Sequence, residues 1–205
     1  MKILVAVPTF ETIYPDTFYS IYNLDPCGNE LDFRYIRGYD CATARNSIAR
    51  CSLDGKYDYV LMIDNDVVLK KDTIKYMLED PKMVTLGYYA HRNANNTFTG
   101  VTSICKLGEY NYTKQFTDEE IRVLREEKGV TKFQIHGGGM GCAFINTAAF
   151  KRIDYPWYDW VNYKDFGMLS EDLYFCEMCK SQNIPIFSDT RCGCGHIFRY
   201  IQNVK

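Results

Sequence analysis

Residues 57–69 read YDYVLMIDNDVVL. Five apolar residues in a row, Tyr59 to Ile63, run into Asp64-Asn65-Asp66, after which apolar residues resume. An apolar run of this length suits a strand buried on both faces, as in a parallel sheet covered by helices on each side. The carboxylates at its end need a separate reason. Side chains alternate along a strand, so Asp64 and Asp66 are expected to point the same way at the strand's C-terminal edge. With no basic residue between them they repel unless a cation joins them. Hard oxygen ligands in that number suit Mg²⁺ or Mn²⁺, which takes its remaining ligands from phosphates and water. A plain turn is the alternative, because Asp and Asn also form loops and cap helices.

The neighbouring segments place this strand in a repeating order. Residues 2–8 form an apolar run closed by Pro8, and Pro15-Asp16 open a helix carrying Phe18, Ile21, Tyr22 and Leu24. Residues 31–37 alternate as a strand, and residues 41–54 read as a helix stopped by Gly55. After the strand at 58–63 come a helix at 71–79 and a strand at 82–89. This β-α-β order predicts an α/β fold with a mostly parallel central sheet and helices on both faces. Right-handed crossovers then gather the strand C-termini on one edge, where open sheets bind ligands.

The pattern loosens over residues 90–116, rich in Asn, Thr and Tyr, where a loop or small β excursion is expected. Thr117-Asp-Glu-Glu120 is a capping box opening a charged helix that ends near Gly129. TKFQIH and CAFIN read as strands around a glycine-rich segment at 137–141, and Ser170 is expected to cap a helix over 171–182. IPIFSD makes a last short strand before RCGCGHIFRY. An aromatic cluster (Tyr155, Trp157, Tyr158, Trp160, Tyr163, Phe166) lies between, suited either to the core or to stacking on a sugar.

At 205 residues with 46% hydrophobic and 24% charged residues, a single folded domain is the simplest expectation. A chain of this size buries roughly 70% of its unfolded surface, so its core needs no disulfides. The net charge of −2 gives no overall bias toward nucleic acid or anionic membrane. MKILVAVPTF is too soon interrupted for a secretory h-region, and no window approaches the ~20 apolar residues of a membrane helix. A cytoplasmic protein with reduced cysteines is expected. Nine cysteines are present, and Cys176, Cys179, Cys192, Cys194 and His196 raise a structural-zinc alternative to buried thiols.

Four segments in order resemble the nucleotide-sugar-dependent glycosyltransferases of the GT-A fold, in the group related to glycosyltransferase family 2. VAVPTFET resembles the first strand and nucleotide-cradling loop. ATARNSIA leading to YDYVLMIDNDV resembles the Arg-Asn helix and the D-x-D strand. GGGMGCAFINTAAFKRI resembles the small-residue loop near the acceptor, and SEDLYFCEMCKSQNIPIFSDTRCGCGHI the stretch from a catalytic Glu-Asp helix to a late metal-binding histidine. The resemblance implies one GT-A domain over 1–205, with a nucleotide-binding half at 1–90 and an acceptor-side half at 91–205.

The same resemblance implies roles. Asp64, Asp66 and His196 would hold Mn²⁺ or Mg²⁺, which neutralises the leaving diphosphate. Pro8, Thr9, Glu11, Asp40, Arg45 and Asn65 would contact the nucleotide of a donor expected to be a UDP-sugar, with Gly139 lying close to the sugar. Asp172 would be the general base of an inverting transfer, and Glu171 would orient acceptor or sugar. Helix N-termini favour such acids through the dipole alone, which is the bland alternative for this pair. The acceptor is left open among glycan, protein, lipid-linked sugar, small molecule and modified nucleobase. Two other classes compete: sugar-phosphate nucleotidyl transfer, which expects a G-x-G-T-R-L loop absent from VPTFETIYP, and a non-catalytic carbohydrate-binding or zinc-stabilised protein.

Overall fold

The computed structural model describes residues 1–38, 40–92, 98–108, 113–163 and 167–198. Strand and helix alternate first: β1 (Lys2–Thr9), α1 (Pro15–Tyr22), β2 (Glu30–Arg37), α2 (Cys41–Asp54), β3 (Tyr59–Ile63), β4 (Val67–Val68), α3 (Thr73–Glu79) and β5 (Val84–Arg92). There follow β6 (Phe98–Leu107), β7 (Thr113–Thr117), α4 (Asp118–Glu126), β8 (Lys132–Ile135), β9 (Gly137–Gly138), β10 (Cys142–Asn146) and α5 (Ala148–Arg152). The chain continues through β11 (Val161–Tyr163), β12 (Gly167–Leu169), α6 (Glu171–Ser181) and β13 (Ile186–His196).

The main sheet has the order β2-β1-β3-β10-β5-β13-β4. β1 is parallel to β2 and β3, and β13 is parallel to β5, whereas β10 runs antiparallel between β3 and β5. Two reversals cancel, so β2, β1, β3, β5 and β13 share one direction and end on one edge. The expected excursion is antiparallel: β6 pairs β5, β7 and β9. Parts of that segment (93–97 and 109–112) and Phe166 of the aromatic cluster lie outside the described residues.

Period-two alternation divides the core between the two faces of the sheet. Leu4, Ala6, Val60 and Met62 face one cluster with Ile48, Phe150, Trp157 and Phe175. Ile3, Val5, Val7, Leu61 and Ile63 face the other with Ile21, Ile74 and Met77. Burying strands on both faces is what made 59–63 uniformly apolar. Local signals set the helix starts. Asp40 accepts a hydrogen bond from the Thr43 backbone N–H at 2.8 Å, and Thr117 and Glu120 complete the capping box.

Several expectations change. On α1, Ile21 is buried but Phe18 and Tyr22 are exposed, so the apolar stripe is only half used by this chain's own core. Trp157 and Tyr158 are core residues: the Trp157 indole donates to the carbonyls of Phe150 and Ile153, and Tyr158 stacks on Phe175 at 4.8 Å. The last strand is longer than IPIFSD. It runs on through the Gly-Cys alternation to His196 after a register shift between Ser188 and Gly193. Cys176 and Cys179 face one core cluster, while Cys192 and Cys194 belong to the other across the sheet, so the four thiols do not share an ion. Among the described residues no helix is long and apolar enough to cross a membrane.

Candidate functional site

A cleft of ≈ 1010 Å³ opens where the parallel strands end, lined by the C-terminal residues of β1, β5 and β13, the IDND turn, and the starts of α2 and α6. Ligand pockets typically span about 300–1,000 Å³, so this one has room for a large polar ligand. Pro8, Thr9, Asp40, Asp64, Asn65, Asp66, Gly139, Asp172 and His196 all line it.

The acidic doublet is placed differently from the expectation. β3 stops at Ile63, and Asp64 to Asp66 form a turn in which the Val67 N–H donates to the Asp64 carbonyl at 3.1 Å. A turn does not keep the two-residue period of a strand, and the two carboxylates engage different partners. Asp64 Oδ1 accepts a 2.8 Å hydrogen bond from the Arg45 guanidinium. Asp66 Oδ2 lies 3.5 Å from His196 Nε2. Asn65 is also committed: its amide donates to the Thr12 carbonyl at 2.7 Å, and its own carbonyl accepts from the Tyr14 N–H, which pins the loop after β1.

His196 is oriented from behind. Its Nδ1 lies 2.8 Å from the Ala90 carbonyl, which can only accept, so Nδ1 carries a proton and Nε2, in the neutral imidazole, turns its lone pair toward Asp66. Two electron-pair donors 3.5 Å apart suit a shared divalent cation, and a backbone bond to the far nitrogen is how protein imidazoles are usually set for metal. Among the described residues no three His, Cys, Asp or Glu groups are spaced to hold one ion. The residues therefore fit an ion held by Asp66 and His196, with other ligands from phosphate and water, and Asp64 bound to Arg45.

Arg45 sits beneath this surface and not in the cleft. It is 2% exposed, with Nε 3.5 Å from both Glu171 Oε1 and Asp172 Oδ1. Burial alone would lower its pKa. Asp64, Asp172 and Glu171 override that and hold it well above the ordinary arginine range. The expected nucleotide contact is thus replaced by a buried guanidinium tying α2 to the IDND turn and to α6. Glu171 is likewise buried and bound to Arg45, and it does not line the cleft.

Asp172 reaches the cleft. Its side chain is 21% exposed, and Oδ1 makes no hydrogen bond. Burial is the first cause that pushes its pKa up to about 7, reinforced by Glu171 and Asp64; Arg45 and the Met140 N–H work the other way. Burial outweighs the guanidinium 3.5 Å away, so the Asp172 carboxyl keeps its proton up to about neutral pH.

Tyr89 is a wall of the site that the sequence did not single out. Its hydroxyl accepts from the Gly141 N–H at 3.2 Å, and its ring meets His196 edge-on at 5.0 Å. Burial holds the phenol well above its ordinary pKa, so it stays neutral. A side chain on Gly139 would collide with the Tyr89 hydroxyl, and a Cβ on Gly141 would lie 2.7 Å from the ring. Both glycines are thus required by close approach. Glu11 is exposed on the bend after β1 and does not line the cleft; Trp160, 43% exposed, does not either. Asp40 lines the cleft while capping α2.

This topology, with its ligand cleft at the strand ends, is the GT-A fold. The chain superposes on A197 from STIV with a TM-score of 0.61 at 18% identity, over 97% of this chain and 87% of that one. It also superposes on GalNAc-T7 with UDP, GalNAc and Mn²⁺ (TM-score 0.64, 14% identity, 97% of this chain and 44% of that). S. aureus TarS 1–349 in complex with UDP-GlcNAc gives 0.53 at 14% identity, over 98% of this chain and 60% of that. The chain thus spans under half of the GalNAc-T7 chain and under two thirds of the TarS chain. No family model and no curated protein matches the sequence.

Proposed function

We propose that this chain is a metal-dependent glycosyltransferase that moves a sugar from a UDP-sugar to a hydroxyl of an acceptor. One observation carries the reading. A single cleft at the strand ends holds both an imidazole–carboxylate pair, His196 and Asp66 at 3.5 Å, and a cleft carboxylate, Asp172, poised near neutrality. The GT-A fold supports it, as does the donor chemistry named for GalNAc-T7 (UDP, GalNAc and Mn²⁺) and TarS (UDP-GlcNAc).

Asp66 and His196 would hold the ion, the imidazole nitrogen favouring Mn²⁺ over Mg²⁺. When bound, the ion supplies the positive charge that stabilises a departing diphosphate. Pro8, Thr9 and Asp40 line the part of the cleft that would take the nucleoside, beside a loop fixed by Asn65. Gly139 and Tyr89, packed closely on each other, form the cleft wall that the sugar would lie against. Asp172 takes the proton from the acceptor hydroxyl as its oxygen bonds to the anomeric carbon and the bond from that carbon to the diphosphate breaks, inverting configuration. Glu171 and Arg45 position Asp172 from below.

The test is release of UDP from UDP-glucose, UDP-galactose and UDP-N-acetylglucosamine with Mn²⁺ and mixed acceptors. Mn²⁺-dependent release that is lost in Asp66→Ala supports the reading. Pyrophosphate release from a nucleoside triphosphate and a sugar phosphate would replace it with nucleotidyl transfer.

A further inference from the structure

β2 is the outer strand of the main sheet. β1 pairs one side of it in an unbroken eight-residue register, from Lys2↔Glu30 to Thr9↔Arg37, and among the described residues no strand pairs the other. Its sequence, ELDFRYIR, contains no proline and no bulge, and its charges are of both signs, so a second strand can pair with them as well as be repelled. Leu31, Phe33 and Tyr35 alternate onto one face of the strand, and Asp32 and Arg34 onto the other. Phe33 and Tyr35 are 40% and 62% exposed. Phe18 of α1 leans edge-on against Phe33 at 5.9 Å, and Tyr22, one turn along the same helix, is 78% exposed. Helix and strand together present one apolar aromatic face beside open backbone hydrogen-bonding groups.

We propose that this edge pairs antiparallel with β2 of a second copy of the chain, about a two-fold axis at Phe33. Geometry restricts the register. A two-fold axis perpendicular to the sheet leaves every side chain on its own face, so opposed residues must come from the same face of the strand. An axis at Asp32 opposes Asp32 to its own copy, and an axis at Arg34 opposes two arginines; like charges directly opposite destabilise a pair. An axis at Phe33 opposes Phe33 to Phe33 and Leu31 to Tyr35 on the apolar face. On the other face it sets Asp32 against Arg34 twice. In its own chain Asp32 accepts from the Tyr57 hydroxyl at 2.6 Å and lies 3.5 Å from Lys2 Nζ, so it is a fixed, ionised target for the partner's guanidinium.

The arrangement is closed. The same patch serves both copies, so pairing uses up the β2 edge of each. Phe18 and Tyr22 of each copy flank the new pair, covering the aromatic face that this chain's own core leaves open. Because β2 runs parallel to β1 and β3, reversal in the partner sends the two clefts to opposite edges of one continuous sheet. The inference therefore stands apart from what the cleft does.

Sedimentation velocity on the full chain from low to high micromolar concentration tests it. The expected species has twice the 23.9 kDa chain mass. Arg34→Asp and Asp32→Arg should each dissociate it, because each variant opposes like charges twice. Mixed in equal amounts the two variants should recover the dimer mass, since Asp then faces Arg at both positions. Phe33→Lys should dissociate it with no such recovery. Thermal melts show which variants are folded; should Asp32→Arg fail for loss of its Tyr57 bond, Arg34→Asp and Phe33→Lys decide. A monomer throughout the range, a dimer indifferent to both of those substitutions, or assembly that grows beyond two copies would overturn the proposal.

Discussion

Replacing Arg45 with methionine is expected to lower folding stability by about 3–5 kcal/mol, the cost of removing one partner from a buried ion pair. The guanidinium is the buried cation facing Asp64, Glu171 and Asp172. Its loss leaves Glu171 buried with an uncompensated charge and lets the IDND turn, α2 and α6 part. For a chain of 150–250 residues each kcal/mol moves Tm by about 2–4 °C, so a fall of roughly 6–20 °C is expected. Part of the loss should return at pH 5.5, where Asp172, raised to about 7 even beside the guanidinium, is held neutral. Arg45→Lys should recover little, because one ammonium cannot stand both where the guanidinium meets Asp64 and where its Nε faces Glu171 and Asp172. Chemical denaturation at two pH values measures both effects; a loss below about 1 kcal/mol would show that the pairs are not the joint they form here.

The second large effect is on turnover. Asp172→Asn should reduce the rate about 10²–10⁴-fold, the usual contribution of a general base. In the unaltered protein the rate should rise with pH through about 7, as Asp172 loses its proton, and then level off. Stability should show the opposite trend. The folded-state pKa is raised from 3.8 to about 7, so the native state holds an extra proton in that window. Its stabilising contribution is full below about 3.8 and is lost as pH climbs through about 7. Asp172→Asn removes the charge that burial opposes, so it should raise Tm at pH 8 and change it little at pH 5. A variant equally impaired in turnover but with Tm lowered at pH 8 would point to a structural role for the carboxylate.

The parallel half of the fold was legible because its signals are local. The uniform apolar run at 59–63, the alternation in β2, the Asp40 cap and the Thr117–Glu120 box each act within a few residues. What local patterns do not carry is pairing across the chain. Nothing in CAFIN announces that β10 runs backwards between β3 and β5. Arg45 and Glu171 meet across 126 positions, so Arg45 read as a ligand contact when it is the buried counter-charge. The Asp-Asn-Asp spacing suggested a shared direction only while it was taken as strand; as a turn it sends Asp64 to Arg45 and Asp66 to His196. RCGCGH read as lying beyond the last strand, with zinc as an alternative use of its cysteines, yet its glycines let β13 run close beside Tyr88 and Val68. Tyr89 lay unremarked at the end of an apolar strand, where an aromatic residue carries no sign of the glycines it will meet.

The central claim is that Asp66 and His196 hold a cation against a donor's diphosphate. Calorimetric titration of UDP into the protein, with Mn²⁺ or with chelator, and repeated on His196→Ala, tests it most directly. UDP should bind in the presence of the ion, and binding should weaken by roughly 10–100-fold or more both in chelator and in His196→Ala with Mn²⁺. Equal affinity for UDP with and without the ion, unchanged by removal of the imidazole, would contradict it.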